Sequence, residues 1–255
     1  MALIEVDFRS QALGYHEELM VMLPDRAPDK PYPVLWAFHG AGGDCSDWLR
    51  FSSVERYAAK RGLAVVLPTV SNGHGMDMAH GMKYFTMLSK ELPAFLHYTF
   101  PCLSDRREDN FTAGASMGGY VAFKLALNYP DKFCAAGAFG GALDIVNIVG
   151  GTAGDKLKPN LFSNAFGSAD AIRHTESDII WLAEQLSREG RCPRLWSVVG
   201  DQDFGFGQVR GACEKFRAVG ADLTALYEKG THSFDLWDNC IEPFFDWLGL
   251  GKGEN

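Results

Sequence analysis

The heptapeptide "GASMGGY" (Gly114–Tyr120) places one hydroxyl, Ser116, between glycines in the pattern G-x-S-x-G. Its flanks give that pattern a chemical meaning. "NFTAGA" (Asn110–Ala115) reads as a buried strand and "MGGYVAFKLALNYP" as a helix, so Ser116 falls at a strand-to-helix turn. A serine on such a turn is held in an unfavourable backbone conformation, and Gly114 and Gly118 remove the Cβ atoms that would clash around it. A phosphate-cradling loop needs Lys-Ser/Thr at the helix start, where this chain has Gly119-Tyr120.

A serine hydroxyl is a weak nucleophile at neutral pH, so it requires an imidazole as base and a carboxylate to orient that imidazole. On a strand-turn-helix nucleophile the chain order is Ser, acid, His. Only His174 and His232 follow Ser116, and only His232 also follows an acid late in the sheet. "SVVGDQDF" supplies two acids beyond a strand, Asp201 and Asp203. Asp203 is preferred because Gly200-Asp201-Gln202 can turn and carry the next carboxylate back over the sheet edge; Asp201 remains the alternative. Acyl transfer also builds charge on a carbonyl oxygen, which calls for fixed donors. The Met117 amide is one, and the loop "FHGAGG" (Phe38–Gly43) supplies another, Ala41, with Gly40 second. His39 is expected as a buried histidine supporting that loop.

These residues must be carried by a frame that brings distant loops to one edge. Two segments, the alternating "LIEVDF" and the more apolar "ELMVML", open the chain as antiparallel strands, closed by the turn "PDRAPDKPYP". Apolar runs then recur at 34–39, 63–68, 110–115, 133–139, 194–200 and 223–229, as for strands buried on both faces. Helical spacing fills the gaps at 46–60, about 81–100 with a kink at Pro93, 117–128, 176–189, 208–219 and 234–248. Gly62 and Gly190 follow helical runs as left-handed caps. The pattern predicts an α/β fold: a mostly parallel central sheet with helices on both faces, in a single domain spanning 1–255. The segment 140–168 is expected as an irregular, cap-like excursion at the carboxyl edge of the sheet.

The segment "HGMDMAHGM" (His74–Met82) offers imidazole and thioether groups suited to copper, but no further His or Cys is recruited to it. No metal site and no cofactor are expected. The loop is read instead as pocket lining, through His74 and His80, joined by Trp48, Phe139 and Phe204.

The net charge of −8 and the lack of a basic run exclude nucleic acid and a polybasic membrane contact. Glu5 and Asp7 interrupt the N-terminal apolar stretch, so no secretory leader or bilayer span is expected. Six scattered cysteines without C-x-x-C pairs read as reduced thiols, and a cytoplasmic protein acting on a small molecule is the expectation.

Several stretches together resemble the tributyrin-esterase group of the esterase D/putative esterase family of α/β-hydrolases, over nearly the whole chain. They are "YPVLWAFHGAGGDCSDW", "SKELPAFLHYTFP", "REDNFTAGASMGGYVAFKLALNYPDKFCAAGAFGGALD", "VVGDQDF" and "GTHSFDLWD". The resemblance implies an α/β-hydrolase fold, roles for Ser116, Asp203 and His232 as catalytic triad, and self-association. It implies a serine carboxylesterase for short acyl esters, acetyl to butyryl. "HGAGGDCSDW" lacks the pattern typical of S-formylglutathione hydrolases, and the 74–82 loop differs from the tyrosine-containing stretch of tributyrin esterases. Thioester hydrolysis, carbohydrate deacetylation, feruloyl ester hydrolysis and a non-catalytic binding protein are the alternatives.

Overall fold

The computed structural model describes residues 1–25, 30–151 and 160–251. Eight strands form one sheet: β1 (Ala2–Arg9), β2 (His16–Leu23), β3 (Val34–Phe38), β4 (Ala64–Pro68), β5 (Asn110–Ala115), β6 (Ala135–Phe139), β7 (Arg194–Gly200) and β8 (Leu223–Glu228). Their spatial order is β1-β2-β4-β3-β5-β6-β7-β8. β1 and β2 pair antiparallel, β2 pairs antiparallel with β4, and every pairing from β4 to β8 is parallel. The expected mostly parallel sheet with antiparallel N-terminal strands is therefore the observed one. Chain order reverses between β3 and β5, and at such a switch point the loops leaving two neighbouring strands part and open a crevice.

The helices are α1 (Asp47–Phe51), α2 (Val54–Ala59), α3 (Tyr84–Thr86), α4 (Leu92–Thr99), α5 (Met117–Asn128), α6 (Ile145–Gly151), α7 (Leu161–Phe166), α8 (Ala169–Ile172), α9 (Ile179–Arg188), α10 (Phe206–Ala218) and α11 (Phe234–Leu248). Side chains alternate across β3, so Trp36 and Phe38 join one core with α4, α5, α9 and α10, whereas Leu35 and Ala37 join a second with α1, α2 and α11. Helices thus cover both faces.

Three expectations need correction. The helix expected over 46–60 is two helices, because Ser52 is extended and the Ser53 amide donates to Asp238 Oδ1 at 2.7 Å. The helical run around Pro93 starts at Tyr84, later than expected, and continues through Pro93. A π turn at Met87–Glu91 precedes Pro93, which occupies the first turn of α4, where a missing N–H costs little. Within 140–168, residues 145–151 and 161–166 are helical rather than irregular, forming α6 and α7, too brief to show a 3.6-residue period. Residues 152–159 of that excursion, and 26–29 of the turn after β2, lie outside the described residues. Gly62 and Gly190 take positive φ of 59° and 67°, as helix ends require. Among the described residues, no helix is long and apolar enough to cross a membrane.

Candidate active site

Ser116 sits between β5 and α5 with φ 54° and ψ −114°, a conformation L-residues rarely adopt. It is held there from several sides. Its amide donates to the Phe139 carbonyl at 2.8 Å, and its carbonyl accepts from the Gly119 amide at 3.0 Å. A Cβ on Gly114 would stand 2.1 Å from the Gly118 backbone, and one on Gly118 would stand 2.3 Å from the Phe38 carbonyl oxygen. The turn therefore closes only with glycine at both positions.

His232 follows β8 and Asp203 follows β7, and both loops return to the carboxyl edge where Ser116 stands. His232 Nδ1 lies 2.7 Å from Asp203 Oδ2, and His232 Nε2 lies 2.8 Å from Ser116 Oγ. A carboxylate accepts, so Nδ1 carries the proton and Nε2 is left to accept from the serine hydroxyl. The other oxygen of Asp203 accepts from the Gly205 amide at 2.7 Å, which fixes a buried carboxylate. Asp201 is not the partner. It is exposed, and its Oδ1 accepts from the Gly230 amide at 3.1 Å, tying the two loops together. This arrangement can draw the proton from Ser116 as its oxygen attacks an electrophile, and return it to a leaving group.

The loop after β3 lies alongside. A Cβ on Gly40 would be 3.6 Å from both Ser116 Cβ and the Ala115 carbonyl oxygen. Neither the Ala41 nor the Met117 amide donates to a protein acceptor among the described residues, so both are available to an oxyanion. His39 is buried. Its Nδ1–H donates to the Gly40 carbonyl at 2.7 Å, and its Nε2 accepts from the Val70 amide at 3.0 Å. Burial holds its pKa below the usual histidine range, which keeps the ring in the neutral form this pairing needs. Asn72 Oδ1 accepts from the Gly42 amide at 2.8 Å and ties down the tip of the same loop.

The expected pocket residues separate. Phe204 stands at the site, exposed, with its ring centroid 4.5 Å from that of His232. Trp48 and Phe139 do not line a pocket: they are 2% and 1% exposed, pack edge-to-face at 5.5 Å and belong to the core beneath the sheet. His74 is buried against Phe162 and Phe166 of α7, at 5.2 and 5.0 Å. His80 is exposed, and its amide donates to the Asn164 carbonyl. The 74–82 loop therefore docks on α7. Its other ligand-type groups are spread over separate partners, with Asp77 accepting from the amide and hydroxyl of Thr86 and Met76 Sδ accepting from Ser177 Oγ at 3.4 Å.

Sequence reasoning missed Asn72, Trp237 and Gly140. Trp237 presents its indole to His232 at 5.0 Å, nearly perpendicular. Gly140, with φ 61°, lies beneath the histidine–aspartate pair, and a Cβ there would be 3.1 Å from His232 Nδ1 and 3.2 Å from Asp203 Oδ2. The only signal for it was a glycine directly after a strand.

Residues 10–239 match the model of the family described as "Putative esterase". An acetyl esterase of Caldicellulosiruptor saccharolyticus is 27% identical, over 97% of this chain and 98% of its own length. An S-formylglutathione hydrolase of Paracoccus denitrificans is 26% identical over 51% of this chain and 54% of its own length. Among solved structures, the substrate-bound fluorophosphonate-binding serine hydrolase F of Staphylococcus aureus superposes with a TM-score of 0.86 at 30% identity, covering 97% of this chain and 98% of that one. The S-formylglutathione hydrolase FrmB of the same organism superposes with a TM-score of 0.84 at 29% identity, with the same coverage.

Proposed function

The chain belongs to the Putative esterase family and is a carboxylic ester hydrolase, and from that premise we propose that it cleaves short-chain acyl esters, acetyl to butyryl, through an acyl-enzyme on Ser116. The observation that carries this reading is the unbroken relay from Asp203 Oδ2 to His232 to Ser116 Oγ, at 2.7 and 2.8 Å.

In the proposed reaction Ser116 Oγ bonds to the acyl carbon as its proton passes to His232 Nε2, and the carbonyl electron pair moves onto oxygen. The Met117 and Ala41 amides hold that oxyanion, and Asp203 stabilises the imidazolium. Collapse of the tetrahedral intermediate breaks the bond to the alcohol oxygen, which leaves with the proton from Nε2. Water then repeats the sequence, releasing the carboxylic acid and restoring the serine. The similarity to an acetyl esterase over nearly full length supports a short acyl group. Six cysteines free of disulfides support a reducing, cytoplasmic setting.

Hydrolysis of p-nitrophenyl acetate and butyrate, measured beside Ser116→Ala, tests the reading. Activity is expected to fall by at least about a thousandfold in the variant; hydrolysis at the parental rate would defeat the assignment. The likeness to two S-formylglutathione hydrolases favours a second reading, thioester cleavage at the same site. Rates on S-formylglutathione against p-nitrophenyl acetate separate the two.

A further inference from the structure

At the end of the sheet opposite Ser116, a cavity of about 300 Å³ opens beside the starts of β3 and β5, α4 and the loop after α5. Val34, Trp36, Leu96 and Leu103 give it apolar walls. Polar groups in those walls are already committed. Trp36 Nε1 donates to Asn110 Oδ1 at 3.3 Å, Asn110 Nδ2 donates to the Ser104 and Arg106 carbonyls at 2.8 and 2.9 Å, and Ser104 Oγ donates to Asp109 Oδ2 at 2.7 Å.

Lys132 is different. Its side chain lines the cavity, and among the described residues its ammonium has neither a hydrogen-bond acceptor nor a carboxylate within ion-pair distance. Its companions are aromatic rings, with Nζ 5.5 Å from the Trp36 centroid and 5.9 Å from that of Phe133. Burial alone pushes its pKa down to about 8. Lys132 is half-buried, and a partly desolvated ammonium without a counter-charge is destabilising, a cost that an anion beside it offsets. The exposed His97 and Asp105 complete the rim, so the cavity presents one ammonium without a counter-charge and already carries one carboxylate at its mouth. One anionic charge matches the single unpaired ammonium, and the Asp105 carboxylate at the mouth disfavours a dianion.

We propose that this cavity is a binding site for a small aromatic monocarboxylate, its carboxylate on Lys132 Nζ and its ring between the walls formed by Trp36, Leu96 and Leu103. The volume lies at the small end of the range for ligand sites. Because β5 runs from Asn110 at this cavity to Ala115 at the other end, just before Ser116, the site is separate from the catalytic edge and its occupation does not depend on ester hydrolysis.

Isothermal titration of the full chain with benzoate tests it, using the parent protein, Lys132→Met, Lys132→Arg and Ser116→Ala. Expected are saturable binding at millimolar or lower benzoate at pH 7, weakening by roughly tenfold in Lys132→Met, retention in Lys132→Arg, and no change in Ser116→Ala. Affinity should also fall as pH rises from 7 to 9 and the ammonium is lost. Absence of saturable binding, undiminished binding in Lys132→Met, or loss in Ser116→Ala each overturns the proposal. Should Lys132→Met fail to fold, the pH dependence and Lys132→Arg carry the same decision.

Discussion

The ring of Phe204 lies 4.5 Å from the imidazole of His232 while 88% of the Phe204 surface faces solvent. With Trp237 at 5.0 Å, two aromatic rings flank the imidazole. An exposed phenyl ring adds little to the core, but its π face favours a cation beside it, and an imidazolium forms when the serine proton is taken up. Phe204→Ala is expected to lower kcat for p-nitrophenyl acetate by about two- to fivefold, the equivalent of roughly 0.5–1 kcal/mol, with Tm unchanged. Phe204→Tyr should retain the parental rate. Equal kcat in parent and Phe204→Ala would reject a role for the ring.

The glycines of the elbow differ sharply from those on helix surfaces. A methyl group at Gly118 must displace the backbone carbonyls of Phe38 and His39, at 2.3 and 2.6 Å, which carry the loop beside Ser116. Gly118→Ala should therefore cost stability, by about 1–3 kcal/mol, and activity together. Gly211, inside α10, has open space where a Cβ would stand, with nothing within 4 Å, so Gly211→Ala should gain about 0.5–1 kcal/mol. Denaturant midpoints of the two variants check the contrast, and a stable, active Gly118→Ala would contradict it.

Asn72 holds the Gly42 amide at 2.8 Å from the loop after β4, reinforcing the longer Gly43–Gly40 turn bond at 3.2 Å. Losing that bond lets the Ala41 amide drift without touching the core. Asn72→Ala should lower kcat on the order of tenfold, leaving Tm and KM close to parental values. A rise in KM at constant kcat would instead assign Asn72 to substrate binding.

His39 makes the same loop sensitive to acid. Its folded pKa lies below the unfolded value near 6.5. As pH falls below that unfolded value, the unfolded chain takes up a proton that the folded ring refuses, so stability present above about pH 6.5 is lost on acidification. Glutamine can donate to the Gly40 carbonyl and accept from the Val70 amide without titrating. Urea unfolding between pH 7 and 5 should fall less steeply for His39→Gln than for the parent; parallel curves would rule the histidine out as a source.

Much of this geometry was legible because each participating loop follows a readable strand. The runs ending at Phe38, Ala115 and Gly200 are apolar and buried, the run ending at Glu228 is partly so, and parallel strands deliver their carboxyl ends to one edge. That Ser116 and His232 meet follows from this register together with chain order. Chain order alone does not separate Asp201 from Asp203, since both follow β7; the preference for Asp203 rests on the turn Gly200-Asp201-Gln202, and it is the Asp203 carboxylate that meets His232. Trp48 and Phe139 were misplaced for a related reason. Proximity in sequence to a site loop does not reveal which sheet face a ring takes, and Phe139 contributes its carbonyl to Ser116 while its ring enters the core. Asn72 and Gly140 act through contacts 30 or more residues away, for which a single sequence holds no periodic signal.

Lys124, in the middle of α5, is fully buried, with Nζ 3.3 Å from Ser177 Oγ, 3.7 Å from Glu176 Oε1 and 3.7 Å from the centroid of Phe85. Burial pushes its pKa down to about 8, against about 10.4 in an unfolded chain. Between those values the unfolded chain holds a proton that the folded protein has released, so this group makes stability rise with pH from about 8 to 10.4. Methionine fills a similar volume and carries no charge, and Ser177 Oγ keeps its contact with Met76. Lys124→Met should therefore remove that rise and be at least as stable as the parent at pH 7, with Tm equal or a few degrees higher. Thermal melts of both proteins at pH 7 and pH 10 decide it. A variant that melts well below the parent at pH 7 would mean that the cation–π and ion-pair contacts outweigh the cost of burying the charge.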